Sequence, residues 1–287
     1  MMSTKIFDES LRLLPQEIRQ ALENHAAAEE IRLRCGYPPS FVIAGRELVF
    51  SDVIVCEKHL LHVMDVATGA SFHSSSHSIA SGYFSYNGIR IGVCGQAVLK
   101  SEGIFGFNKI TSLAIRIPHL KENILPDEVC SELIKKPANT LILAGPGIGK
   151  TTALRDLVYR ISESGIRISL LDERGEFVAA RDKGLLGKCT DVLSYVKKSE
   201  GAILVLRSMN PQIIAMDEIT KTQDIDALFE VIGCGVCVIA TAHAFGLEDM
   251  MIRPLYRKLV EEAVFQNILS ISVIDGHRKY TFERIKP

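Results

Sequence analysis

Apolar and polar positions along this 287-residue chain follow two different patterns, one in each half. In residues 5–24, Ile6, Leu11, Leu14, Ile18 and Leu22 recur at helical spacing. Pro15 restarts the helix at a first-turn position that tolerates its missing N–H. Glu30–Arg34 alternates like a half-exposed strand. Phe41–Ala44 and Glu47–Phe50 flank Gly45-Arg46, which predicts a two-residue hairpin of type II′ with its glycine first. Residues 57–67 predict a short helix, and 88–99 and 111–117 predict further strands. Residues 1–117 thus read as a small α+β domain.

Residues 118–126 are a polar connector with a proline at each end. Beyond it the pattern switches to strand–helix alternation, the mark of a parallel sheet covered by helices. The predicted order is helix 128–135, strand 140–144, helix 149–164 ended by Gly165, strand 166–172, helix 201–208, strand 212–218, helix 223–231 and strand 235–242. A hairpin of strands 269–274 and 278–283 closes residues 127–287, the second predicted domain.

Composition changes this picture little. A formal net charge of −1 argues against a surface that grips nucleic acid or anionic lipid as a whole. No apolar run approaches the ~18 residues of a membrane span, and the N-terminus lacks the apolar core of a signal peptide. Seven scattered cysteines suggest reduced thiols in a cytosolic protein. Cys234 and Cys237 form a C-x-x-C at the start of an apolar strand, and read as buried small hydrophobes rather than a metal or redox pair. His73 and His77 are four apart in a serine-rich run without an acidic partner, and read as a polar segment.

The chemistry is concentrated in the second half. Strand 140–144 runs into Ala144-Gly-Pro-Gly-Ile-Gly-Lys-Thr-Thr152, a Walker A phosphate loop with alanine in the first glycine's place. Gly145, Pro146, Gly147, Ile148 and Gly149 form a turn whose backbone N–H groups can face a β-phosphate where a Cβ would clash. Lys150 supplies charge to the β/γ-phosphates, the Thr151 hydroxyl can ligate Mg²⁺, and Thr152 follows in the first turn of a helix whose dipole favours an anion. This predicts a nucleoside triphosphate, ATP with Mg²⁺.

Three further segments fit that ligand. Ile213–Met216 ends in Asp217-Glu218, a Walker B strand in which Asp217 binds Mg²⁺ and Glu218 sits near the γ-phosphate, able to polarise water. Leu171-Asp-Glu-Arg-Gly-Glu-Phe177 places three carboxylates at a strand's C-terminal end, where ligands bind in doubly wound sheets. Asp172 or Glu173 is a candidate Mg²⁺ ligand there, and Glu176 a candidate water activator. Thr241-Ala-His243 ends the following strand, with His243 a candidate phosphate sensor.

Walker A, an acidic box, Walker B and a His box in this order resemble the secretion ATPases of type II and type IV systems. The N-terminal half narrows the resemblance. Glu29–Arg34 with the following hairpin, Asn87–Gly95 and Ser112–Ile117 look like the stage III sporulation protein AA family, the ATPase of a channel complex in the mother cell of endospore-forming bacteria. Asp217-Glu218 departs from the Gly-Glu common in secretion ATPases but suits the sporulation branch.

The resemblance implies a RecA-like P-loop core behind an α+β N-terminal domain, assembled as a hexameric ring. It implies a cytoplasmic, mother-cell location, peripheral at the membrane facing the forespore through membrane proteins of the channel complex. It also implies an arginine that reaches the γ-phosphate: Arg116 first, Arg90 second, Arg207 third. By the same analogy Glu176 is the preferred water activator. The competing reading is a nucleic-acid-stimulated RecA-like ATPase. Arg32, Arg34, Arg46 and Arg90 would serve it, but stacking aromatics are sparse, with no Trp, so no stable nucleic-acid partner is expected.

Overall fold

The computed structural model describes residues 2–22, 27–43, 45–49, 52–69, 82–100, 103–117, 122–182 and 184–285. The chain forms two compact units, Met1–Leu120 and Lys121–Pro287. His73 and His77 lie outside the described residues.

Unit 1 contains α1 (Met2–Arg12), α2 (Gln16–Leu22), β1 (Glu30–Arg34), β2 (Ser40–Ile43), β3 (Arg46–Val49), α3 (Glu57–Thr68), β4 (Tyr83–Tyr86), β5 (Ile89–Lys100) and β6 (Gly103–Arg116). Its strands form one antiparallel sheet in the order β3-β2-β1-β6-β5-β4. Ile31 and Leu33 of β1, Ile89 and Ile91 of β5, and Leu113 and Ile115 of β6 join Phe7, Ile18, Leu60 and Met64 of the helices, and Leu14 between α1 and α2, in one core. Strand alternation sends Glu30, Arg32 and Arg34 to the opposite face.

Two details of unit 1 depart from the sequence pattern. The β2–β3 register pairs Ile43 with Arg46, so Gly45 takes the second turn position, not the first, with φ +74°. A type II′ turn needs its positive φ one residue earlier. Strand β4 was not expected from its four residues, yet Asn87-Gly88, at φ 48° and 76°, joins it to β5 by the Asn-Gly turn that favours hairpins. That dipeptide was the signal available in the sequence.

Unit 2 contains α4 (Asp127–Lys135), β7 (Thr140–Leu143), α5 (Lys150–Glu163), β8 (Ile168–Asp172), α6 (Val178–Asp182), β9 (Thr190–Ser194), α7 (Lys198–Ser208), β10 (Ile213–Met216), α8 (Thr222–Gly233), β11 (Cys237–Ala242), α9 (Leu247–Ile252), α10 (Pro254–Glu261), β12 (Asn267–Ile274) and β13 (His277–Arg284). Its sheet order is β13-β12-β7-β11-β10-β8-β9, parallel throughout except for antiparallel β13 at one edge. All four residues of β7 and of β10, and all five of β8, are buried, as strands covered on both faces must be. The alternating pattern of the sequence is therefore a mixed α/β fold with a doubly covered parallel sheet.

Strand β9 is polar and half-exposed, and it exists because β8 offers it a free edge, with Ile168 opposite Thr190 and Asp172 opposite Ser194. Cys234 corrects the expectation of a buried pair: it is exposed just after α8, and Cys237 is only partly buried. No group of three or more metal-ligating side chains occurs among the described residues, and no described helix is long and apolar enough to cross a membrane.

Candidate nucleotide site

The phosphate loop leaves β7 and enters α5 through two glycines in left-handed backbone, Gly147 at φ +71° and Gly149 at φ +114°. Any side chain is strained there. Gly145 is constrained by its surroundings instead: a Cβ would approach the Phe245 ring to 3.0 Å. The three glycines leave this turn as bare backbone, which suits an anion at the start of α5.

Lys150, the first residue of α5, is buried, and its Nζ donates to the carbonyls of Ala144 and Gly145, each at 3.1 Å. Its third direction points to His243, with Nζ to Nδ1 at 2.8 Å. The other ring nitrogen of His243 lies 2.7 Å from Glu218 Oε1, and Glu218 Oε2 lies 2.8 Å from Nη1 of Arg174. A neutral imidazole protonated on Nε2 satisfies both neighbours, accepting from Lys150 and donating to Glu218. Burial pulls the Lys150 amine below its usual pKa, against the opposing pull of Asp217 and Glu218.

Strand order explains this row. β7, β11, β10 and β8 are neighbours in the sheet, and Lys150, His243, Glu218 and Arg174 follow their respective C-terminal ends. Four residues distant in sequence become neighbours because parallel strands deliver all their C-terminal loops to one edge.

Asp217 stands beside the row. Its two carboxylate oxygens accept from Thr151 Oγ1 at 2.7 Å and Thr241 Oγ1 at 2.6 Å. Thr241 in turn accepts the Glu218 amide at 2.7 Å, which holds Glu218 in left-handed backbone at φ +53°. A non-glycine residue in that region is uncommon and is kept there by its surroundings. The Thr151 hydroxyl and Asp217 carboxylate are hard oxygen donors of the kind Mg²⁺ takes together with phosphate oxygens, so the donor set fits the ion.

The acidic loop after β8 has a division of labour that its sequence did not show. Asp172 is buried and accepts the amides of Glu176 at 2.8 Å and Phe177 at 3.0 Å, so it folds the loop around itself. Burial raises its pKa, and the backbone amides work against that rise. Glu173 faces the same cleft as Asp217. It meets Lys198 Nζ at 2.6 Å and Lys221 Nζ at 3.4 Å, and these lysines overcome the desolvation that would raise its pKa and hold it low. Glu176 is exposed and lines an open cleft of about 240 Å³ with Glu218, Asp217 and Arg174.

The arginine candidates fall in two places. Arg116 and Arg90 are register partners on β6 and β5 of unit 1. Arg116 reaches Glu30 at 3.4 Å, while the Arg90 guanidinium stacks 3.8 Å over the Tyr83 ring. Arg207 ends α7, which leads into the start of β10, so it lies at the sheet edge opposite Asp217. That topology removes it from the site. Sequence reading missed Lys198 as the partner of Glu173 and Arg174 as the partner of Glu218. The Thr241 hydroxyl, quoted in the His box, is a third partner missed, of Asp217 and the Glu218 amide; its signal was a buried polar residue at the end of an apolar strand.

A family model described as "Sporulation stage III, protein AA" matches residues 5–280. Stage III sporulation protein AA of Bacillus subtilis (strain 168) is 31% identical over 285 residues, spanning 94% of this chain and 92% of that protein. Two solved structures share the fold. The Legionella pneumophila ATPase DotB superimposes with a TM-score of 0.62 at 18% identity, over 97% of this chain and 78% of its own. The pilus retraction motor PilT with bound ADP gives 0.63 at 18%, over 99% and 82%.

Proposed function

The chain belongs to the Sporulation stage III, protein AA family, and from that premise we propose that it is an ATP-hydrolysing motor of the secretion-ATPase type. Its work is to power assembly of, or transport through, the mother-cell-to-forespore channel during endospore formation. The observation that carries this reading is the row Lys150, His243, Glu218, Arg174 beside the Thr151–Asp217 pair, all at the C-terminal edge of one parallel sheet.

In the proposed cycle Lys150 exchanges the Ala144 and Gly145 carbonyls for the β/γ-phosphates, which are better partners for a partly desolvated ammonium. Backbone from Gly145 to Thr152 wraps the phosphates. Thr151 and Asp217 would hold Mg²⁺, which would supply positive charge to the transferred phosphoryl group. Glu173, committed to its lysines, leaves ligation to that pair. Glu176 orients the attacking water and Glu218 positions His243. His243 acts as sensor: when Lys150 turns to phosphate, Nδ1 loses its donor and the imidazole–Glu218–Arg174 arm is released. Arg116, with Arg90 second, supplies positive charge to the transition state.

Copies of the chain work as a ring, hexameric in this proposal, docked from the cytoplasm of the mother cell on membrane proteins of the channel complex. The test is ATP turnover and light-scattering mass on one sample, for wild type, Lys150→Ala and Glu176→Gln. Turnover from a multimer, lost in both variants, supports the motor. A monomer that binds nucleotide without turnover sinks it.

A further inference from the structure

The β12–β13 hairpin reaches back to the phosphate loop through Arg278. Asp275 and Gly276, at φ 51° and 76°, make the tight turn that pairs Ile274 with His277. The next residue of β13, Arg278, sends Nε to the carbonyl of Ile148 at 2.7 Å, across 130 positions of sequence. Its guanidinium also roofs Gly149: a Cβ there would stand 3.4 Å from Nε and 3.6 Å from Nη2. Gly149 is required by its positive φ, and the arginine packs above it at ordinary van der Waals distance.

The bonded carbonyl belongs to the peptide that carries the Gly149 N–H. That peptide is planar and trans, so its C=O and N–H point in opposite directions. A cation fixed on the Ile148 oxygen from outside the loop therefore fixes the Gly149 N–H toward the inside, where the proposed phosphate sits. It also polarises the amide, since donation to the carbonyl strengthens the N–H as a donor. We propose that Arg278 is a positioning residue for the phosphate loop, aligning the Gly149 amide through the Ile148 carbonyl, so that the C-terminal hairpin sets affinity for the β-phosphate. This rests on the reading of residues 144–152 as a phosphate site.

The experiment is titration of the full chain with pyrophosphate and with Mg·ADP, for wild type, Arg278→Met, Arg278→Lys and Lys150→Ala, with unliganded melting recorded for each. Arg278→Met keeps the length of the stem and removes the donor. Loss of one charge-assisted hydrogen bond that acts through the loop should weaken pyrophosphate on the order of tenfold, with the unliganded melting temperature unchanged and Arg278→Lys recovering part of the affinity. Unchanged pyrophosphate affinity in Arg278→Met overturns the proposal, as does a loss that tracks a lower melting temperature. Lys150→Ala separates the two levels. If wild type binds and Lys150→Ala does not, the phosphate-site reading stands whatever Arg278 does. If wild type binds neither ligand, both fall together.

Discussion

Lys150 and Glu218 are joined without touching: one imidazole, His243, stands 2.8 Å from the amine by Nδ1 and 2.7 Å from the carboxylate by Nε2. An amine and a carboxylate are therefore linked through one imidazole. Replacing it tests whether the link matters for chemistry or for binding alone. In His243→Ala, nucleotide affinity stays within a few-fold while kcat falls on the order of ten- to a hundredfold, the worth of one or two hydrogen bonds to charged groups. Steady-state kinetics beside equilibrium binding checks the split. A fall in affinity with kcat unchanged refutes the sensor role.

Asp217 takes two hydroxyl donors, Thr151 and Thr241, and carries the charge that the metal would need. Asp217→Asn retains the shape and loses the charge. The expected outcome is nucleotide binding that no longer tightens with Mg²⁺, and turnover reduced on the order of a hundredfold or more. Calorimetric titration of ADP with and without Mg²⁺ decides it. An Mg²⁺ effect equal to that of wild type moves the metal elsewhere.

Lys150 has a lowered pKa because it is buried, with Asp217 and Glu218 opposing the fall. Bound phosphate favours the charged amine, so the bound state holds its proton to higher pH than the free state. Affinity for ADP should therefore fall as pH rises through the depressed pKa of the free site, below the ordinary lysine value of about 10.4. The unliganded fold has the opposite slope: it gains stability over the same rise, since the buried amine sheds its charge. Lys150→Met should flatten both profiles, and ADP titrations from neutral to alkaline pH show whether it does.

The segment that enters unit 2 is tied to the phosphate-loop helix. Asp156 of α5 is buried and accepts the amides of Asn123 at 2.9 Å, Ile124 at 3.0 Å and Leu125 at 3.0 Å. Asp156→Ala leaves three donors to find other partners and should cost about 3 kcal/mol of stability. Urea unfolding measures that loss, and limited proteolysis near residues 118–126 should speed up. A loss under about 0.5 kcal/mol would mean the segment is held by its apolar contacts instead.

Much of the local structure of residues 144–152 and 213–218 was legible because it is set within a few residues. The Gly147, Gly149 and Lys150 pattern declares its turn and helix start within a few residues, and Asp217-Glu218 declares the end of a buried strand. The helix–strand alternation of unit 2 showed in the same way, since a strand covered on both faces reads as a continuous apolar run. Strand β9 and the helices α9 and α10 did not. β9 carries too few apolar residues to signal itself, and it forms where β8 leaves an edge to pair.

What the sequence determined by itself is therefore the set of conformations a short segment can adopt: glycines that admit positive φ, apolar runs that must be buried, caps and turns. What only the tertiary structure decided is which charges meet. Glu173 and Asp172 sit side by side in sequence, yet one is held by Lys198 and Lys221 while the other folds its own loop. Arg278 meets Ile148 across 130 positions, and His243 bridges Lys150 to Glu218. The physical reason is that side-chain charges interact over a few ångströms of space, and the order β7-β11-β10-β8, set by pairing and burial across the whole unit, fixes that distance.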